Sequence, residues 1–306
     1  VIDIEVPEAL AATQIQYEGE AGRAFVESLP GLAAEMLARW GLTVDGASMH
    51  GMAALVLPVR RRDGTPAALK LQALNEESAG EADALRAWAD LGAVHVLDHA
   101  PENGSLLLER LDSGRSLDGE PDVRQGVLVI AGMLARFTAV RAPAGMRRLG
   151  DIAAEMVART PDALRALADP AERRLVADCA AAVREVMDEP GEALLHWDLH
   201  FENVLAGRGG WVAIDPKPLA GDPGFDLWPA LNNRFDPADT RWRFDAMTEV
   251  MGLDRDRAKA WTLGRVLQNA LWSVEDGEQL DEDDLVVARL LRGDAGARGG
   301  PVSLRP

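Results

Sequence analysis

The first third of the chain alternates apolar and polar positions in short runs, whereas the rest repeats them at helical spacing. "AALVLPVRRRDGTPAALKLQ" (residues 53–72) carries apolar runs on both sides of Asp63-Gly64, a dipeptide that tolerates positive φ and suits a tight turn, so a β-hairpin is predicted. Lys70 then lies on a strand between Leu69 and Leu71. Before it, "EGEAGRAFVESL" and "GLAAEMLARW" (within 18–40) read as two short helices, with Pro30 near the start of the second, where a missing N–H does no harm. After it, "NEESAGEADALRAWADLG" has apolar or small residues at 82, 85, 88 and 91, and Gly92 stands as the helix stop. "VHVLDHA" and "SLLLERL", separated by the turn cluster "PENG", predict two further strands.

The texture changes after the polar stretch "DSGRSLDGEPD". Helical patterns run over roughly 122–141, 148–168 and 171–188, interrupted by short strands in "EALLH", "VLAG" and "WVAID", which read as two small hairpins, and then continue to about 292. The Gly-rich end "GDAGARGGPVSLRP" is expected to fray. No internal repeat is visible. The order of elements predicts an α+β arrangement of two segregated lobes: an antiparallel-sheet lobe with one main helix over 1–111 and a larger helical lobe over 112–306. A cleft between lobes is the expected place for a ligand.

Composition narrows the function. Hydrophobic residues make up 47% of the 306, enough for a substantial core, and no apolar run approaches the roughly 20 residues a membrane span needs. The acidic beginning "VIDIEVPEALAATQIQ" does not read as a secretion signal, so the cytoplasm is the expected location. The single cysteine, Cys179, sits in the apolar stretch "LVADCAAAV", excludes a disulfide framework within the chain, and is expected to be an inert helix residue. A net charge of −18 opposes binding to nucleic acid or anionic lipid and favours a cationic small molecule, although it also serves solubility alone. The eight Trp residues have no interleaved basic residues of the kind a nucleic-acid platform needs.

The densest chemistry lies in "LLHWDLHFENVLAGRGGWVAIDPKP" (194–218). His196 and His200 are four apart and would share a helix face as zinc ligands, but the flanking Leu-Leu and Val-Leu predict strands enclosing a loop, and a third ligand is unassigned. A second reading uses more of the residues. Phosphoryl transfer needs a carboxylate to orient and deprotonate a hydroxyl, hard oxygen ligands for Mg2+, and a cation on the nucleotide phosphates. Asp198 fits the base, Asn203 and Asp215 the metal ligands, and Lys70 the cation.

At this point "HWDLHFENVL…ID" resembles the catalytic loop and metal-binding aspartate of the aminoglycoside phosphotransferases, the antibiotic-modifying relatives of protein kinases, with their H-x-D-x-x-x-x-N and downstream I-D. "MHGMAALVLPVRRRDGTPAALKLQ", "GEADALRAW", "LLLERLD", "HWDLHFENVLA" and "IDPKPLAGDPGFDLWP" are, in this order, similar to the streptomycin 6-phosphotransferase and hydroxyurea phosphotransferase branch. The resemblance implies a bilobal protein-kinase-like fold with ATP and Mg2+ as cofactors. It matches Asp198 to the catalytic base, Asn203 and Asp215 to the magnesium ligands, and Lys70 to the lysine on the α- and β-phosphates. Glu81 is the implied partner of Lys70, with Glu76 and Glu77 as nearby rivals, and "LLLERLD" matches the hinge, where the C=O of Glu109 and the N–H of Leu111 would hold adenine. Two features depart from protein kinases: "SMHGMAA" has Gly51 but no repeated glycines, and Asp215-Pro216-Lys217 stands where D-F-G would be, which argues against a protein substrate.

On the acceptor side the resemblance points to the helical lobe, with His200, Asp222, Gln268, Trp272 and Glu275 as candidate contacts, Asn269, Asp276 and "NNRFDPAD" (232–239) near them, and a cationic aminoglycoside as the expected small-molecule partner. Each has an ordinary structural alternative: Leu263, Val266, Leu267, Ala270 and Leu271 have core spacing, and the charge run 275–284 reads as a solvated face. His196 and Asp226 are expected to brace loop backbone. The reaction expected is transfer of the ATP γ-phosphoryl group to streptomycin O6. Hydroxyurea or another small hydroxylated compound is the rival acceptor, and a nucleotide-binding protein without catalysis is the rival of another class. No nucleic acid, membrane or obligate protein partner is expected.

Overall fold

The computed structural model describes residues 4–293, and the chain divides into two compact units, Val1–Asp112 and Ser113–Pro306. The expected fraying of the Gly-rich end falls on residues 294–306, outside those described.

The first unit opens with helix α1 (Glu8–Trp40), which starts well before residue 18 and is not divided at Pro30. Its break is instead at Gly19, with φ 57° and ψ −125°, a conformation that costs little only without a Cβ. Pro30 removes one donor, but Leu29, Ala33, Met36 and Leu37 around it are buried in a common core with Leu55, Leu57, Leu69 and Leu71, so tertiary burial outweighs the local penalty. Gly41 ends the helix in the left-handed region.

Strands β1 (Thr43–Val44), β2 (Met49–His50), β3 (Ala54–Arg60) and β4 (Pro66–Gln72) follow, then α2 (Glu81–Ala87), β5 (Val96–Ala100) and β6 (Ser105–Glu109). They form a six-stranded sheet ordered β1-β3-β4-β6-β5, with β2 also on β3; all its pairings are antiparallel. The β3–β4 hairpin is the expected one, its turn closed by Thr65 N–H on Asp63 Oδ1 at 2.9 Å and by Gly64 N–H on Arg61 O at 2.9 Å. Helix α2 is shorter than its apolar spacing suggests. Trp88 is its C-cap and the chain then turns through Asp90 at φ 67°, leaving Leu91 outside the helix.

The second unit contains β7 (Asp112–Ser116, its first residue still in the first unit), α3 (Val123–Phe137), β8 (Arg147–Arg148), α4 (Leu149–Ala166), α5 (Pro170–Val186), β9 (Ala193–Leu195), β10 (Val204–Gly207), β11 (Gly210–Ala213), β12 (Leu219–Gly221), α6 (Trp228–Asn232), α7 (Thr240–Met251), α8 (Arg255–Glu275) and α9 (Glu282–Arg292). Four of these helices begin at an aspartate whose carboxylate accepts first-turn N–H groups: Asp122, Asp169, Asp254 and Asp281, each contributing about 1 kcal/mol. The small strands depart from the two expected hairpins. Only β10–β11 is a hairpin, extended by β7 from the polar stretch read as a boundary, while β9 pairs with β12 in a sheet ordered β8-β12-β9.

Helix α8 is the centre of this unit, packed on α4, α5, α7 and α9, with Trp261, Leu263, Val266, Leu267, Ala270 and Leu271 buried. The turn at Pro223–Asp226 lies against it so closely that a Cβ on Gly224 would meet Ala258 Cα at 2.7 Å. The charge run 275–284 is not uniformly a solvated face. Asp284 is buried and accepts hydrogen bonds from Trp228 Nε1 at 2.7 Å and Asn269 Nδ2 at 3.0 Å; burial pushes its carboxyl up to about 6. Cys179 is buried on α5, and burial pushes its thiol up to about 12, which leaves it unreactive. No helix among the described residues is long and apolar enough to cross a membrane.

Candidate active site

In the first unit, Lys70 points from β4 to Glu81, the first residue of α2. Its Nζ lies 2.7 and 2.8 Å from the two carboxylate oxygens, and Gln72 Nε2 donates to the same carboxylate. Lys70 is 5% exposed and Glu81 1%, so each charge needs the other: an unpaired ion at such depth is strongly unfavourable. Glu109 ends β6, where its Oε1 accepts from the backbone N–H of His95 at 2.9 Å, and Leu111 follows two residues on, half-buried.

In the second unit the segment after β9 is held as a loop by several independent contacts. Asp226, fully buried in the turn against α8, accepts the backbone N–H of His196 at 2.9 Å and of Trp197 at 2.5 Å. Trp197 has φ 66°, a strained value for a side chain of this size. Burial pushes the Asp226 carboxyl up to about 7, opposed by these two N–H donors and by the charge of Arg265. His196 is buried, stacked with Phe137, its Nε2 3.1 Å from Ile214 O while Nδ1 accepts from Asp198 N–H at 3.4 Å. One neutral tautomer satisfies both bonds, and burial keeps the ring neutral by pushing its pKa down to about 4. With both ring nitrogens engaged on backbone, His196 serves as a brace rather than a zinc ligand.

Asp198 is therefore fixed by its backbone, and its carboxylate is left half-buried, 3.3 Å from Lys217 Nζ. Lys217 is itself tied to the loop through its N–H on His196 O at 3.0 Å. Sequence reasoning quoted this lysine in "IDPKP" without giving it a role; its signal was a cation two residues beyond the aspartate at the end of β11. Asn203 Nδ2 donates to Asp198 O at 2.9 Å, which leaves the amide oxygen as its remaining acceptor. Ile214 N–H donates to Asn203 O at 2.9 Å, placing Asp215 beside the same loop with φ 60°. An amide oxygen and a carboxylate are a donor set suited to Mg2+.

The acceptor candidates separate. Gln268 is 7% exposed and accepts from Arg265 Nη1 of the same helix at 3.2 Å, while Asn269 ties α8 to Asp284 on α9. Asp222 caps the 223–226 turn through Gly224 N–H and pairs with Arg257 Nε at 2.6 Å. Glu275 pairs with Arg159. In "NNRFDPAD", Asp239 pairs with Arg124 and the Arg234 side chain bonds Asp118 O and Glu120 O. His200 lies two residues beyond Asp198 in the same loop, its Nδ1 3.6 Å from Glu202 Oε2. Trp272 is exposed, at 37%, as is Glu275, and its ring lies 6.4 Å from that of Trp197. Behind it the Arg265 guanidinium lies 4.9 Å from the Trp197 ring, 5.3 Å from Trp228 and 5.6 Å from Trp272, a cation–π cluster that spacing alone did not reveal.

The relatives of the chain are kinases and phosphotransferases by name. The family model of the aminoglycoside/hydroxyurea antibiotic resistance kinases matches residues 39–277. A hydroxyurea phosphotransferase of Kitasatospora aureofaciens is 61% identical over 297 residues, covering 96% of this chain and 87% of that protein. A streptomycin 6-kinase of Streptomyces glaucescens is 53% identical over 300 residues, covering 95% and 98%. Among solved structures, a thermostable mutant of aminoglycoside phosphotransferase APH(4)-Ia superposes with a TM-score of 0.60 at 17% identity, covering 86% of this chain and 99% of that one, which shows the fold. A family match over most of the chain and relatives more than half identical over nearly all of it lead to one conclusion: the chain belongs to the aminoglycoside/hydroxyurea antibiotic resistance kinases.

Proposed function

We propose that this protein transfers the γ-phosphoryl group of ATP to a hydroxyl of a small molecule, with streptomycin as the acceptor. The observation that carries this reading is the loop around Asp198: its backbone is held by Asp226, His196 and Asn203 while its carboxylate is left half-buried and accessible. Such over-determination suits a base that must be oriented without being consumed by structural bonds. Residues 1–111 serve as the nucleotide-binding lobe and 112–306 carry the catalytic loop and the acceptor site. Lys70, oriented by Glu81, holds the α- and β-phosphates, and the C=O of Glu109 with the N–H of Leu111 holds adenine.

Asp198 orients the acceptor hydroxyl and takes its proton as the oxygen bonds to the γ-phosphorus; the bond from that phosphorus to the bridging oxygen breaks, and ADP leaves with the electron pair. Magnesium, held by the Asn203 amide oxygen and the Asp215 carboxylate, would neutralise charge on the phosphates. His200 and Trp272 are the acceptor contacts this reading favours, with Asp222, Gln268 and Glu275 as supports of the surrounding backbone and helices. Hydroxyurea is the second acceptor, favoured by the 61% identity to a hydroxyurea phosphotransferase. The deciding experiment measures Mg2+-dependent ADP release over streptomycin, hydroxyurea and other aminoglycosides and places the new phosphate by NMR. Release with streptomycin and phosphate on O6 is the expected result; turnover that persists undiminished in Asp198→Ala would overturn the mechanism, and release with hydroxyurea alone would move the acceptor.

A further inference from the structure

Arg265 of α8 is 8% exposed, and its guanidinium lies 4.9 Å from the Trp197 ring, 5.3 Å from Trp228 and 5.6 Å from Trp272. Aromatic rings compensate only part of what a buried cation loses in water, so a guanidinium at this depth needs negative charge near it. Asp226 supplies it: fully buried in the turn packed on α8, its carboxyl feels the charge of Arg265. Of the other ionisable groups around this corner, His196 is buried and neutral and Asp198 is a like charge, both from the loop. Arg257 of α8 is paired with Asp222, and Arg147 of β8 meets the Trp197 ring at 4.6 Å.

Arg265 and Asp226 grip the same residue. Trp197 gives its N–H to Asp226 and its ring to Arg265, and it holds φ 66°, a value that persists only where the surroundings over-determine it. The next residue is Asp198. Asp226 accepts the His196 N–H on Oδ2 and the Trp197 N–H on Oδ1, so both oxygens must be acceptors; a proton on either one makes it a donor and loosens the loop. Burial pushes this carboxyl up to about 7, and the charge of Arg265 works against that rise. Without the guanidinium the carboxyl would titrate above neutral pH.

We propose that Arg265 is a positioning residue for the phosphoryl transfer: from α8 it keeps Asp226 in the charged form that holds both loop N–H groups, and its ring contact fixes Trp197 and so the direction of Asp198. Its consequence for turnover rests on the phosphotransferase reading above, whereas its first readout needs no turnover. In protein labelled with nitrogen-15 at tryptophan, NMR follows the backbone N–H of Trp197 against pH in the wild type, Arg265→Met, Arg265→Lys and Asp226→Asn. The midpoint is expected to rise by about 1 pH unit in Arg265→Met and to stay near the wild-type value in Arg265→Lys, which keeps the charge. In turnover, Arg265→Met is expected to lose about 5-fold in kcat at pH 7 and to regain most of it at pH 9, with KM for ATP little changed. A purely structural role would lower kcat equally at every pH. An unchanged Trp197 midpoint in Arg265→Met overturns the proposal. The titration should be absent in Asp226→Asn, and its persistence there overturns the proposal whether or not Arg265→Met folds. A wild type that phosphorylates no compound of the panel instead overturns the phosphotransferase reading and leaves the Trp197 titration to judge Arg265.

Discussion

Each unit has a lysine–carboxylate pair near its proposed chemistry, and the two pairs are built on opposite principles. Lys70 and Glu81 are 5% and 1% exposed, joined through both carboxylate oxygens, and carried by a central strand and a helix start. Lys217 and Asp198 have side chains 42% and 22% exposed, touch at 3.3 Å, and sit on loops. In the first pair solvent has been removed, so the partners hold each other in one arrangement and neither leaves without a large penalty. In the second, water competes for both ions, so their pairing adds little to stability. A fixed pair suits a permanent phosphate ligand, whereas an open pair suits groups whose charge environment changes during a turnover.

Four measurements would break or sharpen that contrast. The largest effect is expected for Asp198→Ala, which removes the proposed base from the open pair: kcat should fall by about 10²- to 10⁴-fold with little change in denaturation midpoint, since its backbone contacts remain. A midpoint shift as large as that of a core mutant would show that the open pair is structural after all. Next comes Glu81→Ala in the closed pair, which removes the carboxylate bonded to the buried Lys70 ammonium and should cost about 3–5 kcal/mol by chemical denaturation. Replacing both members, as Lys70→Met with Glu81→Leu, should recover much of that stability and still lack ATP affinity.

A buried carboxylate with no cation bonded to it among the described residues extends the comparison. Asp284 is held by Trp228 and Asn269, and burial pushes it up to about 6 from 3.8. A carboxyl raised in the folded state binds its proton more readily there than in the unfolded chain. Its contribution is therefore full below about pH 4 and is lost as pH rises through about 6, roughly 2–3 kcal/mol in all. Denaturation of Asp284→Asn and wild type at pH 4.5 and 7.5 should show the variant's deficit shrinking at the higher pH, and a constant deficit would mean that the shift is absent. The smallest effect is expected for Lys217→Met, whose stability should stay within about 1 kcal/mol of the wild type. A larger loss would place Lys217 with the closed pair.

Much of the candidate site was legible because it is local. The spacing of Asp198, Asn203 and Asp215 spans one loop and the β10–β11 hairpin, so turn chemistry and strand periodicity were sufficient to set them side by side. The β3–β4 hairpin that places Lys70 was legible for the same reason. The break in α1 was misread because Pro30 is a stronger local signal than Gly19, yet the buried Leu29, Ala33 and Met36 carry the helix through the proline. The sheet formed by β8, β12 and β9 was missed because strands of two or three residues leave no periodicity to read.

Residue order by itself determined the α+β class and the family, and it nominated the proposed base, metal ligands and phosphate lysine, since each depends on side-chain type at short spacing. Only the tertiary structure decided which charges are buried. It put Asp226 under the N–H groups of residues about thirty positions earlier, drew Asp284 out of an apparently solvated charge run, closed Gln268 into α8 and left Trp272 open, and set Lys217 against Asp198. Burial and pairing across many residues depend on how distant elements pack, and charge chemistry follows burial, so the roles of these side chains become readable only when the chain is folded.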